Sequence, residues 1–560
     1  MKFKFLKQKK YNQDIAPDEI FLDSANLPGF DNDMFEGRIE KPIKKFPVML
    51  VGFIFLGLTL FFGYRAFALQ ISKGDVFIKR SENNILRHTL IFSDRGLISD
   101  RNNVPLAWNI PATNDVDFNL RKYIDKPGMA HVLGYVNYPQ KDKAGFYYDT
   151  DVSGVEGIEK KLNDSLAGKN GLKIIETDAL NNIISNSAIE QPQNGNNITL
   201  TIDSRLQEQL YKAIKTVVDE HGFTGGGGVM MDIHTGEIIV MTSYPEFDPN
   251  KMLVGDKDAY KAYLNDSRKP FLNRITQGLY TPGSIVKPYI AAGALQEKII
   301  TPYTQILSVK NMIVPNPYNP DNPSIFTDWK AHGLVDVRHA LAVSSNVFFY
   351  QVGGGYGSQK GLGITLLEKY FRDFGFGEPP KDSFFGNLTG TIPNPEWKKK
   401  IFDDDWRLGD TYFTSIGQYG TQVTPIQIIR AVSAIANGGS VIEPKIVKDD
   451  QPPIVDRQVP ISDENLQVVR EGMRMGAISG TAAGLNYPDF EIAAKTGTAE
   501  LGVSKEDVNS WTTGFFPYKN PRYAFVIVME RGNRHNVIGG VAVARQFFDW
   551  VKFNAKEYIQ

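Results

Sequence analysis

Apolar residues are spread unevenly along the chain, and one segment has no polar face at all. The nineteen residues 46–64 carry no charge. As a helix rising 1.5 Å per residue they span about 28 Å, close to the hydrocarbon thickness of a bilayer. A buried core helix is the first alternative, but such a helix usually keeps a polar face. A cleaved signal peptide is the second, since Ala66-Phe67-Ala68 would suit cleavage, but the 45 preceding residues are too many for a typical signal peptide. We therefore predict an uncleaved signal anchor, with one transmembrane helix at 46–65.

The basic residues beside this span do not decide its orientation. Within 20 residues the two flanks hold four basic residues each: Arg38, Lys41, Lys44 and Lys45 before the span, and Arg65, Lys73, Lys79 and Arg80 after it. The lysines at the start of the chain favour a cytoplasmic N-terminus: Lys2, Lys4, Lys7, Lys9 and Lys10. No other stretch approaches eighteen apolar residues, so we expect nearly all the remaining chain on the opposite side of the membrane.

Beyond the span the hydrophobic pattern changes once, near residue 203. Residues 66–203 contain short strand-like runs separated by Asn, Asp and Gly turn signals, with a turn or linker at 194–197. The later pattern predicts a helix at 204–220 capped by Ser204, a hairpin at 229–232 and 237–242, helices at 284–298, 342–352, 364–374, 425–437, 465–476 and 541–553, and strands at 490–495 and 523–529.

These elements indicate an α/β (α+β) fold with a central antiparallel sheet flanked by helices and closed by the two ends of the domain. The predicted organisation is a polar tail at 1–45, the membrane helix, a strand-rich unit at 66–203 and a larger domain at 204–560. Gly225 to Gly228 lack the Gly-Lys-Ser/Thr of a phosphate loop, so we expect a flexible lead into a strand.

The amino-acid composition argues against several classes of function and of functional site. The 560 residues have a net charge of -1, which argues against a nucleic-acid-binding protein. The chain contains no cysteine, which excludes disulfides, thiolate metal sites and a cysteine nucleophile. Its seven histidines form no His-x-x-x-His pair, and Asp403-Asp404-Asp405 is more typical of a solvated turn than of a cation site. We expect neither a metal nor another cofactor.

Candidate chemistry begins at Ser284 and Lys287, a Ser-x-x-Lys element that follows a Thr-Pro-Gly turn. A serine at a helix start lies where free N–H groups and the helix dipole stabilise an oxyanion. A lysine three residues later shares its face, and no nearby histidine competes for the role of base. Lys287 can take the serine proton only if it is neutral, and burial or a second positive charge would lower its pKa.

Two later elements supply the remaining groups. Lys495 is the candidate second charge, and Gly497 would let a ligand backbone lie along the strand edge as an added strand. Ser344 can relay a proton between Lys287 and a leaving group, while Asn346 can hold Lys287 and a substrate amide.

Each element alone has an ordinary structural explanation, because Ser-x-x-Lys occurs about twice by chance in such a chain and Ser-x-Asn is often only a cap. A Lys-Thr-Gly-Thr run can be a simple strand end. The combination Ser-x-x-Lys, Ser-x-Asn, Lys-Thr-Gly at 284, 344 and 495 is far more specific, and it resembles the penicillin-binding proteins and serine β-lactamases.

Other segments narrow the resemblance to class B penicillin-binding proteins. Residues 95–102 and 154–159 resemble their non-catalytic pedestal, and 230–238 with 244–250 resemble the opening of their transpeptidase domain. Residues 416–418 and 423–425 also match, and the resemblance extends over about 46–550.

The resemblance implies a peptidoglycan D,D-transpeptidase in which Ser284 attacks the penultimate D-alanine and releases the terminal one. It implies an oxyanion hole from the N–H groups of Ser284 and Thr498, and a carboxylate site at Lys495, Thr496 and Thr498. The expected partners are stem peptides on lipid-linked nascent glycan, β-lactams and a membrane glycosyltransferase. The resemblance also implies a bacterial plasma membrane location with the catalytic domain outside the cytoplasm.

Some features depart from the family, and alternatives stay open. Trp511-Thr512-Thr513-Gly514-Phe515 differs from the commoner Trp-Phe-x-Gly-Phe, which predicts a shifted contact. The cysteine-containing metal site of some elongation-type members is expected to be absent, and 311–326 is expected to form a variable loop over the cleft. An elongation role is preferred over division; a β-lactam hydrolase or sensor, and a structural membrane protein with a vestigial site, are the other hypotheses.

Overall fold

The computed structural model describes residues 45–73, 86–112, 116–143, 147–177, 183–316 and 319–559. The described residues divide into two units: those that fall within 1–87 and 175–185 form the first, and those within 88–174 and 186–560 form the second. Apart from Lys45, the predicted tail at 1–45 lies outside the described residues. The proposed boundary at 203 falls inside the second unit and stays a prediction.

The first unit contains one long apolar helix. Helix α1 is Lys45–Phe67, and a π-helix continues it through Ala68–Ser72. The 23 residues Met49–Ile71 are long and apolar enough to cross a membrane, and none of that span is buried against protein. The helix therefore suits a membrane anchor, as the uncharged run predicts.

Short strands dominate the first part of the second unit, and two longer strands, β9 and β10, extend into residues of the first. The elements are β1 Leu86–Ile91, β2 Ile98–Ser99, β3 Pro105–Ile110, β4 Leu120–Tyr123, α2 Ala130–Leu133, β5 Val136–Asn137, β6 Gln140–Lys141, β7 Tyr147–Asp149, β8 Ser153–Gly154, α3 Gly157–Lys161, α4 Asn163–Leu166, β9 Gly171–Thr177, β10 Ile183–Glu190 and β11 Ile198–Thr199. Strands β11, β2, β3 and β4 form one sheet in that order, and β1, β9 and β10 form another.

A buried charge cluster holds this first part together. The Glu159 carboxylate accepts from Arg95 Nε at 2.5 Å and from Arg121 Nε at 2.8 Å, and all three side chains are at most 3% exposed. The two arginines come from β-rich segments far apart in sequence, so one carboxylate ties them to α3.

Helices and a large sheet build the rest of the second unit. The elements are α5 Ser204–His221, β12 Gly225–Asp232, β13 Ile238–Tyr244, α6 Pro249–Leu253, α7 Lys257–Asn265, a 3₁₀ helix Gly283–Val286, α8 Lys287–Gln296, β14 Ile306–Ser308, β15 Asn311–Val314, β16 Ser324–Thr327, β17 Gly333–Val335, α9 Val337–Val343, α10 Asn346–Gly354, α11 Gly363–Asp373, a 3₁₀ helix Ser383–Phe385, α12 Pro395–Phe402, α13 Leu408–Thr414, α14 Pro425–Ala436, β18 Ser440–Ile442, β19 Val455–Gln458, α15 Asp463–Ser479, a 3₁₀ helix Ala483–Leu485, β20 Ala493–Leu501, β21 Asp507–Phe516, β22 Tyr523–Asn533, α16 Gly540–Asn554 and a 3₁₀ helix Lys556–Tyr558.

The central sheet has five antiparallel strands in the order β13-β12-β22-β21-β20. Helices α5 and α16 pack on one face, and α14 and α15 pack on the other. Side chains alternate accordingly: Met230 joins the core beneath α5, while Val229 and Met231 join the opposite core. The predicted fold class, an antiparallel sheet flanked by helices, is confirmed.

The structure corrects two local expectations around α5. Asp203, not Ser204, caps the helix, because its carboxylate accepts from Arg205 N at 3.0 Å. The four glycines at Gly225–Gly228 belong to β12 instead of leading flexibly into it. A Cβ at Gly228 would lie 2.6 Å from Leu210 Cδ2, so the missing side chain lets α5 approach the sheet closely.

Other differences concern boundaries near the cleft. The predicted helix at 284–298 begins with a 3₁₀ turn, and the one at 342–352 is split at Ser344 between α9 and α10. The predicted strand at 490–495 is displaced to β20, so Lys495 lies inside a strand. The expected loop at 311–326 contains β15 and β16, which pair antiparallel. The hydrophobic pattern does not predict strand β21.

Candidate active site

Ser284 lies in the 3₁₀ turn that leads into α8, and neighbouring segments hold this turn closely. Gly283 has φ 59° and donates its N–H to Gly417 O at 3.0 Å. The indole of Trp511 donates from Nε1 to Thr281 O at 3.0 Å. The Ser284 side chain is half-buried, at the helix start that the sequence indicates.

Lys287 begins α8, and its side chain is completely buried. Its Nζ donates to Asn346 Oδ1 at 2.7 Å and to Ser344 O at 2.8 Å, and lies 3.4 Å from Ser344 Oγ. Within the described ranges, no hydrogen bond joins Ser284 Oγ to Lys287. The structure thus brings the predicted base to the predicted relay, one helical turn from the predicted nucleophile.

The Ser344–Asn346 segment is a sharp turn between two helices. Ser344 is the C-cap of α9 at φ 60° and ψ 39°, a left-handed conformation uncommon for a residue with a side chain. Ser345 caps α10, and its Oγ accepts from Phe348 N at 3.1 Å. The turn places the Ser344 carbonyl and the Asn346 amide on the same lysine.

Lys495 reaches the other side of Ser344. It projects from β20, an edge strand of the central sheet, and is 1% exposed. Its Nζ donates to Ser344 Oγ at 2.8 Å and to Thr496 O at 2.7 Å. One hydroxyl therefore lies between two lysine nitrogens that are far apart in sequence.

Burial controls the protonation of both lysines. It lowers the pKa of Lys287 to about 7, while the carboxylate of Asp328 opposes this effect. Burial and then the charge of Lys287 lower the pKa of Lys495 well below its usual value. Desolvation is thus the main cause of the lowered pKa of both lysines, and repulsion by the charge of Lys287 adds to it for Lys495. The site can hold a neutral lysine near pH 7.

The residues after Lys495 differ in their surroundings. Thr496 Oγ1 donates to Thr481 Oγ1 at 2.6 Å, and Thr498 is exposed and pairs with Ser510 in β21. A Cβ at Gly497 would lie 2.9 Å from Pro282 O and from Ile285 Cγ2. Gly497 therefore allows β20 to lie against the Ser284 turn, a requirement that the sequence does not reveal.

Sequence reasoning also missed Asp328, a buried carboxylate just after β16 that accepts from Ser345 Oγ at 2.9 Å. Its segment has no periodicity or known spacing that would distinguish it. Trp511 lies in a run that departs from the family pattern, yet its indole contacts the turn that carries Ser284. In the part of the chain that the structure describes, no group of three His, Cys, Asp or Glu side chains could hold a metal ion.

Comparisons with known proteins agree with this geometry. Residues 226–549 match the family described as the penicillin binding protein transpeptidase domain, and residues 116–200 match the penicillin-binding protein dimerisation domain. The chain is 30% identical over 467 residues to peptidoglycan D,D-transpeptidase MrdA of Haemophilus influenzae, covering 76% of this chain and 68% of that protein.

Two further similarities extend the match. The chain is 32% identical over 499 residues to peptidoglycan D,D-transpeptidase MrdA of Acinetobacter baumannii, covering 80% and 70% of the two chains. The penicillin-binding protein PBP2 of Helicobacter pylori, solved in complex with MreC, superposes with a TM-score of 0.68 at 26% identity over 83% of this chain and 98% of that one. The resemblance read from the three motifs is confirmed: this chain belongs to the class B penicillin-binding proteins, with a dimerisation domain followed by a transpeptidase domain.

Proposed function

We propose that this peptidoglycan D,D-transpeptidase uses Ser284 as its nucleophile and Lys287 as the base that activates it. The observation that carries the assignment is the position of the Ser344 hydroxyl, 2.8 Å from Lys495 Nζ and 3.4 Å from Lys287 Nζ. Both lysines are buried, and the pKa of Lys287 is lowered to about 7, near the optimum for a base at neutral pH.

The first half-reaction forms an acyl-enzyme. Ser284 Oγ attacks the carbonyl carbon of the penultimate D-alanine while its proton passes to neutral Lys287 Nζ. The C–N bond to the terminal D-alanine then breaks. Ser344 Oγ donates its proton to the leaving amine and accepts a proton from Lys287 Nζ. The N–H groups of Ser284 and Thr498 are the proposed oxyanion donors; one such donor contributes about 2.7–4 kcal/mol in other acyl-transfer enzymes.

The second half-reaction runs the same proton path in reverse. An amine from a neighbouring stem peptide attacks the ester carbonyl, and its proton passes through Ser344 to Lys287 and then to the departing Ser284 oxygen. Because β20 is an edge strand, the stem peptide can pair along it as an added strand. Thr496 and Thr498, with Lys495, are proposed to bind the substrate carboxylate, and Asn346 to bind a substrate amide.

The proposed setting is the bacterial plasma membrane. Helix α1 would cross it with the N-terminus in the cytoplasm and the second unit outside, the orientation favoured by the lysines at the start of the chain. We propose a role in cell-wall elongation, which is supported by similarity to MrdA proteins and to a PBP2 solved with MreC. A membrane glycosyltransferase and an MreC-like protein are the proposed partners.

Labelling of the full chain in detergent micelles with a fluorescent penicillin tests the nucleophile. We expect stoichiometric labelling of the wild type, none with Ser284→Ala, and wild-type labelling with Ser187→Ala, an exposed serine on β10. Labelling that survives Ser284→Ala would refute the assignment, and rapid release of hydrolysed penicillin would point to a hydrolase. In cells, depletion should produce round cells; filaments would indicate a division role.

A further inference from the structure

The buried carboxylate of Asp328 lies directly beneath the Ser344–Asn346 turn. Its Oδ2 accepts from Ser345 Oγ at 2.9 Å, from Val347 N at 3.0 Å and from Ser308 Oγ at 3.2 Å. The residue is 1% exposed. Val347 N and the pair of hydroxyls on Ser345 and Ser308, whose oxygens lie 2.7 Å apart, thus converge on one oxygen, which is the arrangement that stabilises a buried charged carboxylate.

These hydrogen bonds hold the turn on its C-terminal side. Ser345 is the N-cap of α10, and Val347 is one of its first residues, so Asp328 holds the start of the helix that carries Asn346. Ser344 immediately precedes this anchor in its left-handed conformation. Loss of the anchor would release the two oxygens that accept from Lys287.

Asp328 is also the negative charge that faces Lys287. The other ionisable groups around this lysine are Lys495 on β20 and His332, whose Nε2 lies 3.7 Å from Asp328 Oδ1. Burial lowers the pKa of His332 below 6.5, so this histidine adds no charge near pH 7. Asp328 favours the protonated form of Lys287 and partly offsets the effect of burial.

We propose that Asp328 is a positioning residue for acyl transfer, which anchors the turn bearing Ser344 and Asn346 and balances the charge of Lys287. This inference rests on the proposed roles of Ser284 and Lys287. Asp328 touches no substrate in this arrangement; it acts through the turn and through the lysine.

The test compares the pH dependence of acylation by a fluorescent penicillin, measured as the second-order rate constant on the full chain in detergent. Asp328→Asn removes the charge and keeps the shape, whereas Ser345→Ala keeps the charge and removes the Ser345 hydroxyl, with its hydrogen bonds to Asp328, Ser308 Oγ and Phe348 N. Asp336→Asn is the matched control: Asp336 caps α9, and asparagine caps equally well.

We expect the acid limb of the wild type to have its midpoint near pH 7. In Asp328→Asn the midpoint should fall by about one pH unit, since an opposite charge nearby moves a pKa by about one to three units. In Ser345→Ala the midpoint should stay and the maximal rate should fall about fivefold. Asp336→Asn should match the wild type in both.

An unchanged or raised midpoint in Asp328→Asn would overturn the inference, even if that variant were less stable, because stability alone does not move a pH midpoint. If Asp328→Asn fails to fold, the maximal rate of Ser345→Ala decides, and a wild-type value would overturn the anchoring role. If Ser284→Ala is instead labelled by the penicillin as strongly as the wild type, the proposed function itself is wrong.

Discussion

Replacing Gly497 by alanine should separate β20 from the turn that carries Ser284. A Cβ at this position would lie 2.9 Å from Pro282 O and Ile285 Cγ2 and 3.2 Å from Ile285 N. Two of these three atoms belong to the backbone, so no side-chain rotation relieves the contact. Either the strand or the Ser284 turn must move.

The magnitude follows from the distance. Ordinary van der Waals contacts of a Cβ lie at 3.4–4 Å, so the two segments must part by roughly 0.5 Å or more. Overpacking of this kind costs about 1–3 kcal/mol. Since each 1.4 kcal/mol is about tenfold in rate, acylation should slow about 5- to 150-fold if the strain falls on the reacting geometry.

The assay is the second-order acylation rate with a fluorescent penicillin, read beside thermal unfolding of the same preparation. Gly484→Ala is the matched control, because its Cβ would also lie 2.9 Å from a neighbour, the methyl Cγ1 of Val541 on α16. That contact involves a half-buried side chain on the terminal helix and not the Ser284 turn. We expect the control to be acylated at close to the wild-type rate.

A wild-type acylation rate in Gly497→Ala would refute this reasoning, since it would mean that the close approach has no bearing on the nucleophile. A slow rate shared equally by Gly484→Ala would also count against it. The result that would support the reasoning is slow acylation of Gly497→Ala and near-wild-type acylation of Gly484→Ala, with both variants folded.

Three further outcomes are expected. Acylation of the wild type should become faster as the pH rises through about 7, because Lys287 must lose its proton to act as the proposed base. At pH 6 the acylation rate should be roughly a tenth of its plateau value. An acylation rate that falls as the pH rises would contradict the assignment of Lys287 as base. Ser344→Ala should slow acylation roughly 10²-fold or more, as measured by fluorescent labelling, because it removes the hydroxyl between the two lysines. Glu159→Gln should lower the free energy of unfolding, measured in urea, by about 3–5 kcal/mol. The control Glu208→Gln, at a more exposed ion pair, should change it by at most about 1 kcal/mol. Equal effects would show that the buried ion pairs of Glu159 contribute no more to stability than an exposed pair.

The sequence predicted the sheet-and-helix fold and the type of chemistry because both leave local signals. Periodic apolar residues marked α5, α14 and α16 to within a few residues, and the uncharged run marked α1. The candidate catalytic motifs were recognisable only in combination, by their order at 284, 344 and 495 and their resemblance to a known family. The signals for the helices depend on residues close together in the chain.

What the sequence did not reveal depends on contacts between distant segments. A side chain at Gly228 would clash with helix α5, and one at Gly497 would clash with the Ser284 turn. The residues next to these glycines in the sequence do not indicate either contact. Asp328 is buried under a turn that begins sixteen residues later, so its partners are visible only in the folded chain. The displacement of β20 has the same origin, since pairing with β21 sets its length.

The position of Ser344 explains why two buried lysines can share one site. A hydroxyl has one proton to donate and two lone pairs to accept with, so it can accept from a charged amine on one side and donate to a neutral amine on the other. Cross-linking needs proton movement in both directions: a leaving amine gains a proton when the acyl-enzyme forms, and an acceptor amine loses one when it is consumed. In the proposed mechanism, a hydroxyl held 2.8 Å from one lysine nitrogen and 3.4 Å from the other serves both steps by rotating its O–H bond.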